Sequence, residues 1–152
     1  MKPVRIAVIG LLLVVFGAAA AAPAIAGASA RAEKKMLRKV NAARGAHGLR
    51  PLRASRSLGG SAGRYAHWML RADYFGHQPR IRASSRYSRL GENLAWHPGR
   101  SPRVRFTVRA WLRSPPHRAL MLSSGFRWLG AGVARGRLQG RAATTWVLQF
   151  GR

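Results

Sequence analysis

Leu90-Gly91-Glu92-Asn93-Leu94-Ala95-Trp96 is the stretch on which the reading of this chain turns. It contains Glu92, one of only three acids in 152 residues. His77 stands upstream in Phe75-Gly76-His77, and His117 downstream in Ser114-Pro115-Pro116-His117-Arg118. Two imidazoles and a carboxylate are donor types that zinc accepts, and three protein ligands leave a fourth position open. Mg²⁺ and Ca²⁺ prefer more oxygen ligands than this set offers. The expectation is therefore that His77, Glu92 and His117 converge in one cleft that holds a ligand or a zinc ion. If Glu92 is a ligand, no spare carboxylate remains as general base, which favours binding over metal-dependent hydrolysis. The plainer alternative makes the three residues a hydrogen-bonded network that pins strands to helices.

Working outward, Leu90–Trp96 reads as extended with a turn at Gly91, and Pro98-Gly99 breaks the chain. Upstream, Ala32–Gly45 reads as a helix, with Met36, Leu37, Val40 and Ala43 near a 3.6-residue period. Gly48–Leu52 is an extended connector, since Pro51 pushes its predecessor out of helical space. Ser55 or Ser57 can cap a second helix running to about Ala72, with Leu58, Ala62, Tyr65, Ala66 and Met69 as its apolar stripe. Its Gly59, Gly60 and Gly63 suit close packing of another element. Gln78–Arg89 reads as a polar loop. Downstream, Ser101-Pro102 fits the start of a third helix, Ser114-Pro115-Pro116 its stop, and His117–Leu122 one helical turn. Trp128–Ala134 reads as a strand, Arg135–Gly140 as a turn, and Ala143–Phe150 as a closing strand, with Thr145, Val147 and Gln149 on one side. Helices first and strands late indicate an α+β domain, an antiparallel sheet covered by helices.

The N-terminus reads as an export signal over residues 1–30. Lys2 and Arg5 precede an apolar run, Ile6–Ala22, and two small-x-small patterns follow, Ala24-Ile25-Ala26 and Ala28-Ser29-Ala30. Cleavage is expected after Ala30, leaving 31–152 as one domain in a secreted or envelope-associated chain. There is no cysteine, so the core must hold by packing alone, and thiol chemistry is excluded. Formal net charge is +25, and beyond Lys39 every basic residue is Arg. Charge of that density attracts polyanions. The arginines are nevertheless spread along the whole chain, with no zinc-finger spacing or aromatic ribonucleoprotein motif among them. Weak, non-specific polyanion adhesion is expected, and sequence-specific nucleic-acid binding is not.

Seven short motifs recur in a known order: Val40-Asn41-x-x-Arg44, Gly48-Leu49-x-Pro51-Leu52, Phe75-x-His77, Gly91-Glu92-Asn93-Leu94-Ala95, Trp111-x-x-Ser114-Pro115-x-His117-Arg118, Gly130-x-Gly132-Val133 and Trp146-Val147-x-Gln149-Phe150. The ordered set resembles the CAP superfamily (cysteine-rich secretory, antigen 5 and pathogenesis-related 1 proteins) in its bacterial SCP-like branch, over nearly all of residues 34–151. The resemblance implies an α-β-α sandwich with a small antiparallel sheet between helices, and a cleft lined by two histidines and two acids. His77 matches the first histidine, Glu92 the first glutamate and His117 the second histidine. The second glutamate has no match, because residues 101–116 contain no acid.

Other candidates weigh less. Gly59-Gly60-Ser61-Ala62-Gly63 fits the G-x-S-x-G pattern, and Ser61, Asp73 and His117 follow in hydrolase order, but the buried strand that must precede such an elbow is missing. His67 reads as a packing residue, and His47 and His97 as loop residues, with His97 able to reach the cleft rim. The chain is thus expected to be a monomeric, secreted domain whose cleft binds a small ligand or envelope polymer, with zinc as the candidate metal. A metal-dependent hydrolase of peptide or envelope polymer, and a basic adhesion protein with a vestigial cleft, are the alternatives.

Overall fold

The computed structural model describes residues 22–152. The apolar run of the expected export signal lies outside these residues, apart from Ala22. The elements are α1 (Ala22–Gly45), β1 (Arg53–Ala54), α2 (Arg56–Arg71), β2 (Leu90–Pro98), α3 (Val104–Arg113), α4 (Pro115–Met121), β3 (Trp128–Leu138) and β4 (Arg141–Gly151). Helix α1 begins ten residues before the expected Ala32 and runs unbroken through the expected cleavage position after Ala30. Among the described residues, no helix is long and apolar enough to cross a membrane.

The four strands form one sheet in the order β1-β3-β4-β2. The long strands pair antiparallel. The two-residue β1 pairs parallel with Trp128–Leu129, so the sheet is mixed rather than wholly antiparallel. Strand alternation divides it into two faces. On one face Glu92 and Leu94 of β2 align with Gln149 and Val147 of β4 and with Gly130 and Gly132 of β3. Helix α2 covers that face through Ala62, Ala66 and Met69. On the other face Trp146, Leu148, Phe150, Leu129 and Val133 meet α1, α3 and α4 through Met36, Val40, Val108, Trp111 and Met121. The result is an α-β-α sandwich.

The two faces pack differently. A Cβ on Gly130 would fall inside the backbone of Leu58 and Gly59, and one on Gly132 inside that of Ala62 and Gly63. Helix α2 thus lies directly on the main chain of β3. A Cβ on Gly63, by contrast, would meet nothing within 4 Å. The close approach therefore depends on the strand glycines rather than on the helix glycines singled out in the sequence.

Ser55 is the N-cap of α2, accepting from Leu58 N–H at 3.2 Å, and Ala72 is its C-cap, as the sequence indicates. Three boundaries differ. Gly91 makes no turn; it is part of a continuous β2 opposite Phe150, with Leu120 and Phe126 pressed where its side chain would be. Helix α3 starts at Val104 rather than at Ser101-Pro102, because the Pro102 carbonyl accepts the Trp146 indole N–H at 2.7 Å and Arg103 turns with φ 38°. Strand β3 continues through Arg135–Leu138 to a tight turn at Gln139-Gly140, both with positive φ. There Arg137 is exposed, half-buried Arg135 donates to the Arg100 carbonyl and Ser29, and Leu138 is buried.

Two residues of the first motif are ties between segments. Asn41 closes a two-way hydrogen bond with the Leu52 main chain, 2.9 Å in each direction. Arg44, 1% exposed, donates to the carbonyls of Arg50, Met121 and Ser123 at 2.7–2.9 Å.

Candidate functional site

The site straddles edge strand β2. Glu92 and Asn93 are neighbours in sequence and point to opposite faces of the sheet, and each holds one histidine segment. Glu92 Oε1 lies 3.0 Å from His77 Nδ1. Asn93 donates from Nδ2 to the His117 carbonyl at 3.0 Å, fixing the start of α4 against the strand. His77 is exposed at the end of the loop that leaves α2, whereas the Glu92 side chain is only 5% exposed.

Three donors hold the Glu92 carboxylate. Besides His77, Oε2 accepts from Gln78 Nε2 at 2.6 Å and from Gln149 Nε2 at 3.2 Å. Gln149 stands directly across from Glu92 in the β2–β4 register. The loop that carries His77 is anchored separately. Tyr65 of α2 donates its hydroxyl to the Gly76 carbonyl at 2.6 Å. Burial, with smaller contributions from Glu92 and Tyr74, pushes the Tyr65 phenol up to about 12, so it stays a donor at neutral pH.

His117 is arranged in parallel with His77. Its Nδ1 lies 2.7 Å from Ser114 Oγ. Burial lowers its pKa, and the nearby His77 lowers it further. Ser114 engages His117 as Glu92 engages His77, with a neutral hydroxyl instead of a carboxylate. Both imidazoles have Nδ1 engaged by a side chain. Among the described residues neither Nε2 has a protein partner. The Glu92 carboxylate can only accept, so His77 donates from Nδ1 and presents Nε2 as a lone pair for a metal or a hydrogen-bond donor. The Ser114 hydroxyl can donate or accept, so His117 Nε2 can serve as donor or acceptor.

The donor set fits a metal only in part. Among the described residues, no three His, Asp or Glu side chains are grouped closely enough to hold an ion. With three donors already on its carboxylate, Glu92 orients His77 rather than standing ready as a third ligand. The nitrogen donors that remain are His77 and His117, which lie near enough for His77 to lower the His117 pKa.

The remaining candidates lie elsewhere. Ser61 is buried inside α2, with no strand-to-helix elbow around it. Asp73 accepts from the Gln139 N–H at the β3–β4 turn. His67 is exposed rather than a packing residue. His47 is an exposed loop residue, with Nδ1 2.8 Å from the Ala43 carbonyl. His97, expected in a loop, is 5% exposed at the end of β2, because the strand continues to Pro98 and its register sets His97 against Thr144. Gln78 and Ser114 went unrecognised as partners of the site. Ser114 sits within a quoted motif, but nothing in the sequence around Gln78 marks it.

The profile of the CAP family, described as Cysteine-rich secretory protein family, matches residues 37–150. The uncharacterized protein YkwD of Bacillus subtilis is 30% identical over 127 residues, covering 78% of this chain and 46% of that protein. The chain thus spans about half the length of that relative. Among solved structures, an outer surface protein from Borrelia burgdorferi superposes with a TM-score of 0.63 at 20% identity, over 78% of this chain and 90% of that one. An extracellular SCP-domain protein from Bacillus anthracis gives 0.65 at 20% identity, over 82% of this chain and 41% of that one. NaASP2, solved with Zn²⁺, gives 0.64 at 16% identity, over 79% and 78%. With the α-β-α sandwich and the ordered motifs already in place, the profile match settles the family: this chain belongs to the CAP, or cysteine-rich secretory protein, family, in a form without a single cysteine.

Proposed function

We propose that the chain is an exported protein of the cell envelope that binds a ligand at the His77–His117 pair, with zinc as the metal that pair would hold. The observation that carries this reading is that each ring is held through Nδ1, with Nε2 left without a protein partner among the described residues. Burial, with a smaller contribution from His77, lowers the His117 pKa and so favours the neutral ring, the state in which imidazole binds a metal. The zinc-bound NaASP2 structure shares the fold and supports the choice of metal. The apolar run after Lys2 and Arg5, and the extracellular and outer-surface names of the structural neighbours, support export.

The same geometry speaks against the hydrolase alternative. A general base must reach the water it activates, and the Glu92 carboxylate is buried and held in place by three donors.

Calorimetric titration of the purified chain with zinc tests the reading. Wild type is expected to bind the ion, and the His77→Ala/His117→Ala variant to lose that heat. Glu92→Gln, which keeps hydrogen-bonding capacity, is expected to weaken binding by about 10- to 100-fold, as for removal of an orienting partner. Absence of zinc heat in wild type would overturn the metal assignment. Mass measurement of the exported chain tests export, with a mature N-terminus at Arg31 expected.

A further inference from the structure

A groove of about 760 Å³ lies beside His77, between α2 and the loop that follows it. Its floor is aromatic. Tyr65 and Trp68 stack with ring centroids 5.5 Å apart and planes 12° apart, and Tyr74 meets Trp68 edge-on at 5.7 Å. Trp68 and Tyr74 are 44% and 46% exposed, two of only four large hydrophobic side chains so exposed among the described residues. Arg64 and Arg71 line the groove from α2, and Arg80 and Arg82 line it from the loop. No acid lines it, and among the described residues none of the four guanidinium groups is ion-paired. The three acids are engaged elsewhere: Glu33 with the Val133 N–H, Asp73 at the β3–β4 turn, and Glu92 beneath His77.

We propose that this groove binds an acidic polysaccharide, a chain of sugar rings that carry carboxylate groups. The reading names a ligand class for an envelope protein, and it does not depend on zinc. A pyranose ring has an apolar C–H face and a polar rim. An exposed indole matches the face, and the burial is favourable because both surfaces leave water. Guanidinium forks match carboxylates with paired hydrogen bonds. Arginines on both sides of one aromatic floor suit a chain that carries a ring and an anion in each repeat. Single-stranded nucleic acid fits less well, because successive bases need successive free platforms. Here the aromatic rings are packed against one another as one platform. The groove also gives the arginines a local role that the spread of charge along the sequence conceals.

Calorimetric titration with hexagalacturonate tests this, alongside neutral maltohexaose and a six-residue oligothymidylate. Wild type is expected to bind hexagalacturonate and neither of the other two comparably. Trp68→Ala and Arg64→Ala/Arg71→Ala are each expected to weaken binding about tenfold. Arg38→Ala/Arg109→Ala, which removes the same charge from exposed positions on α1 and α3, is expected to change it less than about twofold. Circular dichroism checks the fold of each variant. If Trp68→Ala fails to fold, Trp68→Phe keeps a ring and is expected to weaken binding by about threefold. His117→Ala is expected to retain the affinity, which separates this groove from the metal reading. Equal losses in the two arginine pairs would overturn the proposal as diffuse charge attraction. Oligothymidylate binding as tight as hexagalacturonate, or unchanged affinity in the Trp68 variant, would also overturn it.

Discussion

The two faces of the sheet are held by opposite means. Toward α1, α3 and α4 the strands present Trp146, Leu148 and Phe150, and the gap is filled by large side chains. Toward α2 they present Gly130 and Gly132, and helix backbone rests on strand backbone. The first face is filled by large side chains, whereas the second combines a smaller cluster around Leu94, Val147 and Met69 with direct backbone contact at the two glycines. The difference has a functional side. Because α2 lies so low on the sheet, the loop at its C-terminal end comes down beside Glu92, where His77 can reach the carboxylate from outside. The thick face contributes the other histidine through α4. The site forms where a thin layer and a thick layer meet over the edge strand.

That contrast predicts opposite responses to mutation. Trp146→Ala should show the largest loss, about 3–5 kcal/mol, since it empties the thick face and removes the bond to Pro102; urea denaturation measures it. Gly132→Ala should cost about 1–3 kcal/mol or more by overpacking, although it adds one methyl group. A variant as stable as wild type would show that the close approach of α2 is not what holds that face. Gly63→Ala, on the helix side of the same contact, should have the reverse sign. Its methyl group has open space, and replacing glycine within a helix gains up to about 1 kcal/mol. The smallest effect is in pH. The folded pKa of His117 lies below the ordinary imidazole value of about 6.5. The unfolded chain therefore takes up this proton first as pH falls. The stability contribution is complete above about pH 6.5 and is lost as pH drops through the folded value. An NMR titration of the His117 ring should show a midpoint below that of a free imidazole. Ser114→Asp should raise it by placing an anion at Nδ1.

Much of this architecture is legible in the sequence, and the exceptions have physical causes. Helix α2 is readable because a capping serine and a regular apolar stripe agree. Strand β4 is readable because its alternation places Thr145, Val147 and Gln149 on one face, where they lie. Strand β1 is not, since two exposed residues joined to β3 through main-chain groups leave no side-chain pattern. The start of α3 is misread because a distant indole, that of Trp146, takes the Pro102 carbonyl. His97 is misread because Pro98-Gly99 signals a loop while the strand continues through it. At the site, His77 and Glu92 are legible as a pair and the structure joins them. The role of Glu92 is not, because orienting a ring and ligating a metal require the same residue type. The donors that decide between them, Gln78 and Gln149, carry no sequence signal of that role.

The guanidinium of Arg44, fastened to the carbonyls of Arg50, Met121 and Ser123, has a consequence for how this domain matures. It ties the end of the first helix to the connector that follows it and to the distant end of α4, with no oxidant and no bond reshuffling. Closure of the molecule is thereby independent of thiol status. The domain assembles alike on the reducing and the oxidising side of a membrane, and treatment with a reductant leaves it intact.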